Sequence, residues 1–151
     1  MGKIFDALKQ FLEADSIRFE TAGERTAVRF GFRTEQHSWV CVGEVREEQG
    51  FLIFASLLPV VAAERRAAVA ELLTRINSGL AVGNFEMDWD EGAVRFRTSV
   101  DLEGTEPGAP LIRQLFRANV STVASFYGAV EQVARGEMSA ADALRARQAP
   151  R

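Results

Sequence analysis

The chain has 151 residues, 47% hydrophobic and 26% charged, with 18 Lys+Arg against 21 Asp+Glu. That size and balance predict one globular domain over residues 1–151, and a net charge of −3 gives no electrostatic case for nucleic acid. The single cysteine, Cys41, excludes an intramolecular disulfide framework.

Gly2 to Ala14 is read as a first helix, with Ile4, Phe5, Leu8, Phe11 and Leu12 as its apolar stripe. Asp6 and Lys9 interrupt any apolar core there, so no signal peptide is expected. The polar face mixes charge signs, which argues against a membrane anchor. Ile17 to Thr21 is a first strand, and Ala22-Gly23-Glu24 turns the chain. Val28, Phe30 and Phe32 alternate with Ala27, Arg29, Gly31 and Arg33 in a second strand. Ser38 to Arg46 follows, with Trp39, Cys41 and Val45 on one face and Val40 and Val42 on the other. After the turn Gln49-Gly50, Phe51 to Leu58 is apolar on both faces, which predicts a central strand or one covered on both sides. The run from Phe51 to Ala63 is broken by Pro59 and is too short to span a bilayer. A cytoplasmic protein is expected.

Val69, Leu72, Leu73, Ile76 and Leu80 recur with helical spacing, and Glu71 and Arg75 stand four apart on the wet side. Asn77, Ser78 and Gly79 supply a helix stop. Phe85, Met87 and Trp89 then alternate with Glu86, Asp88 and Asp90. Across Glu91-Gly92, Val94, Phe96, Thr98 and Val100 alternate with Arg95, Arg97, Ser99 and Asp101, which predicts an antiparallel hairpin. Glu103 to Pro110 is a loop. Leu111 to Ala134 is a long helix with Pro110 at its first turn and Gly136 as its C-terminal cap. Its apolar face runs through Leu115, Phe116, Val120, Val123, Phe126, Tyr127, Val130 and Val133. Ser139 and Asp142 mark the start of a short tail helix to about Arg147. The order α-β-β-β-β-α-β-β-α-(α) predicts an α+β fold, one antiparallel sheet with packed helices.

Several stretches carry a family resemblance. Leu73–Asn77, Gly83–Phe85, the turn Asp88-Trp89-Asp90-Glu91-Gly92 and the strand Val94-Arg95-Phe96-Arg97 resemble the YbjN domain family. So do Phe126-Tyr127-Gly128-Ala129-Val130, Gly136 and Met138-Ser139, and upstream Trp39-Val40 through Leu57-Leu58-Pro59 fits in order. The likeness covers about Ile17 to Leu144. It implies a bacterial protein of a family labelled a sensory transduction regulator, with a type III secretion chaperone-like fold. Such chaperones are small, often acidic α+β dimers. No catalytic residue or cofactor is implied, and no position matches an effector-binding residue. A net charge of −3 is mild for a secretion chaperone.

The residues themselves carry no catalytic constellation. His37 is the only histidine, and Cys41 lies about 13 Å away at strand rise, too far for a nucleophile–base pair. A zinc site needs three or four ligands. Asp88, Asp90 and Glu91 lack EF-hand spacing and read as a solvated turn. Arg65-Arg66, Arg95 and Arg97 read as charged outer faces. Eleven Phe and two Trp are many for this length, and a sheet with helices on one side exposes the other. Phe30, Phe32, Trp39 and Trp89 are therefore the candidate binding surface. The expected function is a non-enzymatic protein-binding or chaperone-like module. It would hold a second copy of itself or an extended peptide, with strand addition at the sheet edge as one route. The alternative is a small-molecule sensor with a helix–sheet pocket containing Asn77, Arg95 or Tyr127.

Overall fold

In the computed structural model, which describes residues 2–24 and 26–148, alternating strand sequences pair into six antiparallel strands. These are β1 (Glu20–Ala22), β2 (Ala27–Arg33), β3 (Ser38–Arg46), β4 (Phe51–Leu57), β5 (Asn84–Met87) and β6 (Val94–Asp101). Their spatial order is β1-β2-β3-β4-β6-β5. The helices are α1 (Lys3–Ala14), α2 (Arg66–Asn77), α3 (Ala109–Ala134) and α4 (Ala140–Gln148). The architecture is the expected α+β arrangement, and β4 is central as its apolar run predicts.

Several boundaries differ from the sequence reading. β1 starts at Glu20 because Ser16 adopts a left-handed turn (φ 57°) and the Ile17 N–H bonds back to Leu12 O at 2.8 Å. Ile17 and Phe19 pack on the core before the chain joins the sheet. β5 stops at Met87 because the Asp88 carboxylate accepts from the N–H groups of Asp90 (3.0 Å) and Glu91 (2.8 Å), turning the chain. Leu80 lies beyond the end of α2 yet still packs on the core.

Register fixes which side chains share a face. Val28, Gly43, Phe54 and Thr98 are successive cross-strand partners, as are Phe30, Cys41, Ser56, Phe96 and Phe85. This face lies under the helices. A Cβ at Gly43 would sit 3.1 Å from Leu8 Cδ2 and 3.0 Å from Val28 Cγ2, so the glycine lets α1 approach the sheet. Phe116 of α3 packs on Phe11, Phe30, Phe32 and Phe54, with ring centroids 5.7–6.0 Å apart.

One buried polar residue anchors α3. Asn119 is 2% exposed. Its Nδ2 donates to Phe54 O (3.0 Å) and Phe96 O (3.1 Å), with Thr98 Oγ1 a longer neighbour at 3.3 Å. Its Oδ1 accepts from Ser56 Oγ at 2.6 Å, and Ser56 Oγ accepts from Trp39 Nε1 at 2.9 Å. Thr98 Oγ1 donates to Leu115 O at 3.0 Å. Among the described residues no buried side-chain nitrogen or oxygen lacks a partner. Asn119→Ala strands the Ser56 hydroxyl proton and leaves a void. The expected loss is about 2–3 kcal/mol, read as a lowered midpoint in urea unfolding with an unchanged slope.

Candidate functional site

The opposite face of the sheet carries no helix among the described residues, and it is the candidate site. Strand alternation assigns it Arg29, Gly31 and Arg33 of β2, Val40, Val42 and Glu44 of β3, Ile53, Ala55 and Leu57 of β4, and Arg95 and Arg97 of β6. Its middle is therefore an apolar band along β3 and β4, bounded by charge. Val40, Val42 and Phe51 are half-buried and Leu57 is 39% exposed. Ile53 and Ala55 are buried although no helix covers them. On the β5–β6 side, Glu86 Oε2 lies 3.2 Å from Arg97 Nη2, and Glu86 Oε1 pairs with Arg95. Charges of both signs stand at each end of the band. Arg33 and Arg95 lie at one end with Glu86, Asp88 and Glu91; Glu44 and Asp101 lie at the other with Arg46.

None of the four residues singled out from sequence is a strand position of this face. Phe30 (4% exposed) and Trp39 (6%) are core. Phe32 is half-buried on the same helix-covered side. The cause is parity: they share the face on which Phe116 and Tyr127 of α3 rest, with Trp39 and Tyr127 centroids 5.7 Å apart. Trp89 is exposed at 59%, but on the β5–β6 turn rather than on a strand. The set on the helix-free face, half-buried Val40 and Val42, buried Ile53 and exposed Leu57, is the complementary half of the same strands. Its signal was present in the sequence as apolar residues on both sides of β3 and β4.

The alternative pocket residues do not converge. Asn77 bonds the Phe85 backbone, through Nδ2 to Phe85 O (2.9 Å) and from Phe85 N to Oδ1 (2.8 Å). Arg95 lies on the bare face, and Tyr127 stacks between His37 (4.4 Å) and Trp39 on the covered one. Arg66 donates to Val61 O, Trp89 O and Asp90 O and so fastens the acidic turn to α2. Gly92, at φ +77°, passes under this latch, where a Cβ would fall 2.1 Å from Val61 O. No group of three or more His, Cys, Asp or Glu is placed to hold a metal ion among the described residues. No described helix is long and apolar enough to cross a membrane.

These features match a known family. The model described as "Putative bacterial sensory transduction regulator", YbjN, matches residues 5–132. The chain belongs to the YbjN family. No curated protein sequence matches it. Among solved structures, YbjN from E. coli is similar with a TM-score of 0.64 at 13% identity, covering 87% of this chain and 92% of that one. A chain of the HopA1–SchA chaperone–effector complex gives 0.58 at 9% identity, covering 83% and 95%. A chain of the ExsC–ExsE complex gives 0.53 at 10% identity, covering 84% and 95%. The YbjN domain therefore has the type III secretion chaperone-like fold.

Cys41 is 2% exposed, and burial pushes its thiol up to about 11 against the opposing hydrogen bonds of Ser56 and Trp39. The folded thiol holds its proton more tightly than an unfolded one, so this group withdraws stability as pH rises from about 9 toward 11. At pH 8 its thiolate is about a hundredfold scarcer than that of an ordinary cysteine. Iodoacetamide should leave the native protein unmodified and alkylate it fully in urea, which intact mass spectrometry reads directly.

Proposed function

We propose that this YbjN chain is a cytoplasmic, non-enzymatic protein-binding module, a single chaperone-like regulatory domain that works as a homodimer. The observation that carries the reading is the bare apolar band on β3 and β4. Sheets pack face to face about 10 Å apart, and a second copy supplies a matching surface. A copy turned end for end along the strands brings the Arg33 and Arg95 end over the Glu44 and Asp101 end of its partner. Charged residues of both signs then border the apolar contact on both sides. The similar chains from the HopA1–SchA chaperone–effector complex and the ExsC–ExsE complex support a protein rather than a metabolite as the ligand class.

Native mass spectrometry with light scattering tests the assembly. The wild type should be a dimer, and Val42→Asp should be a folded monomer, less stable by about 1–2 kcal/mol because the half-buried Val42 gives up β propensity and partial burial. Phe30→Asp should instead unfold the chain, because it buries an uncompensated charge. A wild-type monomer at high concentration, or a dimer that survives Val42→Asp, would overturn the assignment of this face.

A further inference from the structure

The two edges of the sheet are finished differently. Backbone groups on a strand point alternately to its two neighbours. Thr34 N bonds His37 O and Val45 N bonds Thr26 O, both at 2.8 Å, so the even-numbered residues of β2 face β3. The odd-numbered ones, Ala27, Arg29, Gly31 and Arg33, face outward. β1 covers Ala27 and Arg29 through Ala22 and Glu20 and then ends. No described group bonds the outward N–H and C=O of Gly31 and Arg33. At the other edge, Asp88 N bonds Ala93 O, so Phe85 and Met87 face outward from β5. There the Asn77 side chain takes both Phe85 backbone groups, as a neighbouring strand would.

The open stretch is flanked by two clefts that share Gly31 and Val40. One, of about 420 Å³, reaches Arg18 and Arg29; the other, of about 500 Å³, reaches Phe32, Arg33 and Trp39. A Cβ at Gly31 would meet nothing within 4 Å. Arg18, Arg29 and Arg33 are exposed, and among the described residues no carboxylate lies within ion-pair distance of any of them. Glu20, opposite Arg29, and Glu35, in the β2–β3 turn, are the nearby acids in sequence and register. On the helix side of the same edge, Phe32 keeps part of its ring exposed beside Trp39, 5.2 Å away.

We propose that the open half-edge of β2 receives an extended segment of a partner polypeptide as an added strand, with acidic and apolar residues alternating. Backbone pairing to Gly31 and Arg33 supplies the affinity. The acidic side chains fall on the arginine side and the apolar ones cover Phe32, because strand side chains alternate. The chain itself has that pattern at Phe85–Asp90. In those residues, however, Asn77 closes the backbone edge and Glu86 is engaged by Arg95 and Arg97, which disfavours a second copy as the occupant. The proposal rests on the protein-binding reading only in taking a polypeptide as the ligand; it does not need the dimer.

The probe is a blocked, dye-labelled seven-residue peptide of alternating Glu and Val, titrated into the full-length protein by fluorescence anisotropy. Amide exchange is followed by NMR. Binding should protect the Gly31 and Arg33 amides and leave Met87 unchanged. Gly31→Pro deletes a donor that makes no bond to β3 and should weaken binding about tenfold or more, whereas Gly31→Ala should bind within about twofold of wild type. Replacing Glu by Lys in the peptide should weaken binding further. No binding, protection elsewhere, or equal binding by Gly31→Pro would overturn the proposal, as would Gly31→Pro lowering the dimer fraction, which would make this edge a self-contact. Val42→Asp separates the two readings: a monomer that still binds the peptide leaves the edge assignment standing whatever the fate of the face.

Discussion

The placement of α3 depends on one side chain. An amide buried in an apolar interface is costly unless both its donors and its acceptor are satisfied. Asn119 meets that condition only where β4 and β6 offer the Phe54 and Phe96 carbonyls with the Ser56 hydroxyl beside them. A slide of α3 by one turn would strand all of these groups at once. Apolar packing by Phe116, Val123 and Val130 tolerates small shifts far better, because dispersion is weakly directional. The network thus selects one position and, with it, the face of the sheet that α3 covers.

The same contact explains what the sequence could and could not reveal. Period-2 alternation correctly separated Trp39, Cys41 and Val45 from Val40 and Val42, and helical spacing located the buried stripes of α1, α2 and α3. Alternation gives two sets but not which of them lies inward. On a strand with one polar face the choice is automatic. On β3 and β4 both sets are apolar, so the choice falls to long-range partners: Asn119 of α3 and Leu8 of α1 above Gly43. Neither is recognisable locally. Asn119 sits in a helix stripe that otherwise reads as Leu, Phe and Val, and Gly43 reads as a break in a strand. The large aromatics drew the binding assignment inward because size signals burial as readily as recognition.

Asn77 illustrates the same loss of information. As a local signal it is a helix stop, which its place at the end of α2 bears out. Its second role, closing the edge of β5, needs Phe85 to be brought alongside, and seven residues of intervening chain do not announce that. Asn77 therefore couples the end of a helix to the termination of a sheet. Arg66 repeats the device from the other end of α2, holding Val61, Trp89 and Asp90 carbonyls together. α2 is fixed at both ends to the β5–β6 hairpin by side-chain-to-backbone bonds. The apolar packing of Val69, Leu72, Leu73 and Ile76 can then be modest in extent without leaving the helix loose.

An open apolar sheet face is a liability in proportion to its flat, uncharged area. Here the exposed band is narrow, since only β3 and β4 contribute it, and long charged side chains stand on both flanks. Arginine suits that position because its aliphatic stem can lie against apolar neighbours while its guanidinium stays in water. Ala55, between Val42 and Arg97, and Ile53, between Glu44 and Ser99, are buried with no helix above them, while Leu57, at the end of β4, is not. A surface of this kind penalises indiscriminate contact by requiring charges to be desolvated, and rewards a partner that meets them in register. The mixture of Arg and Glu around the band is thus the physical basis on which an exposed hydrophobic face can be selective rather than merely adhesive.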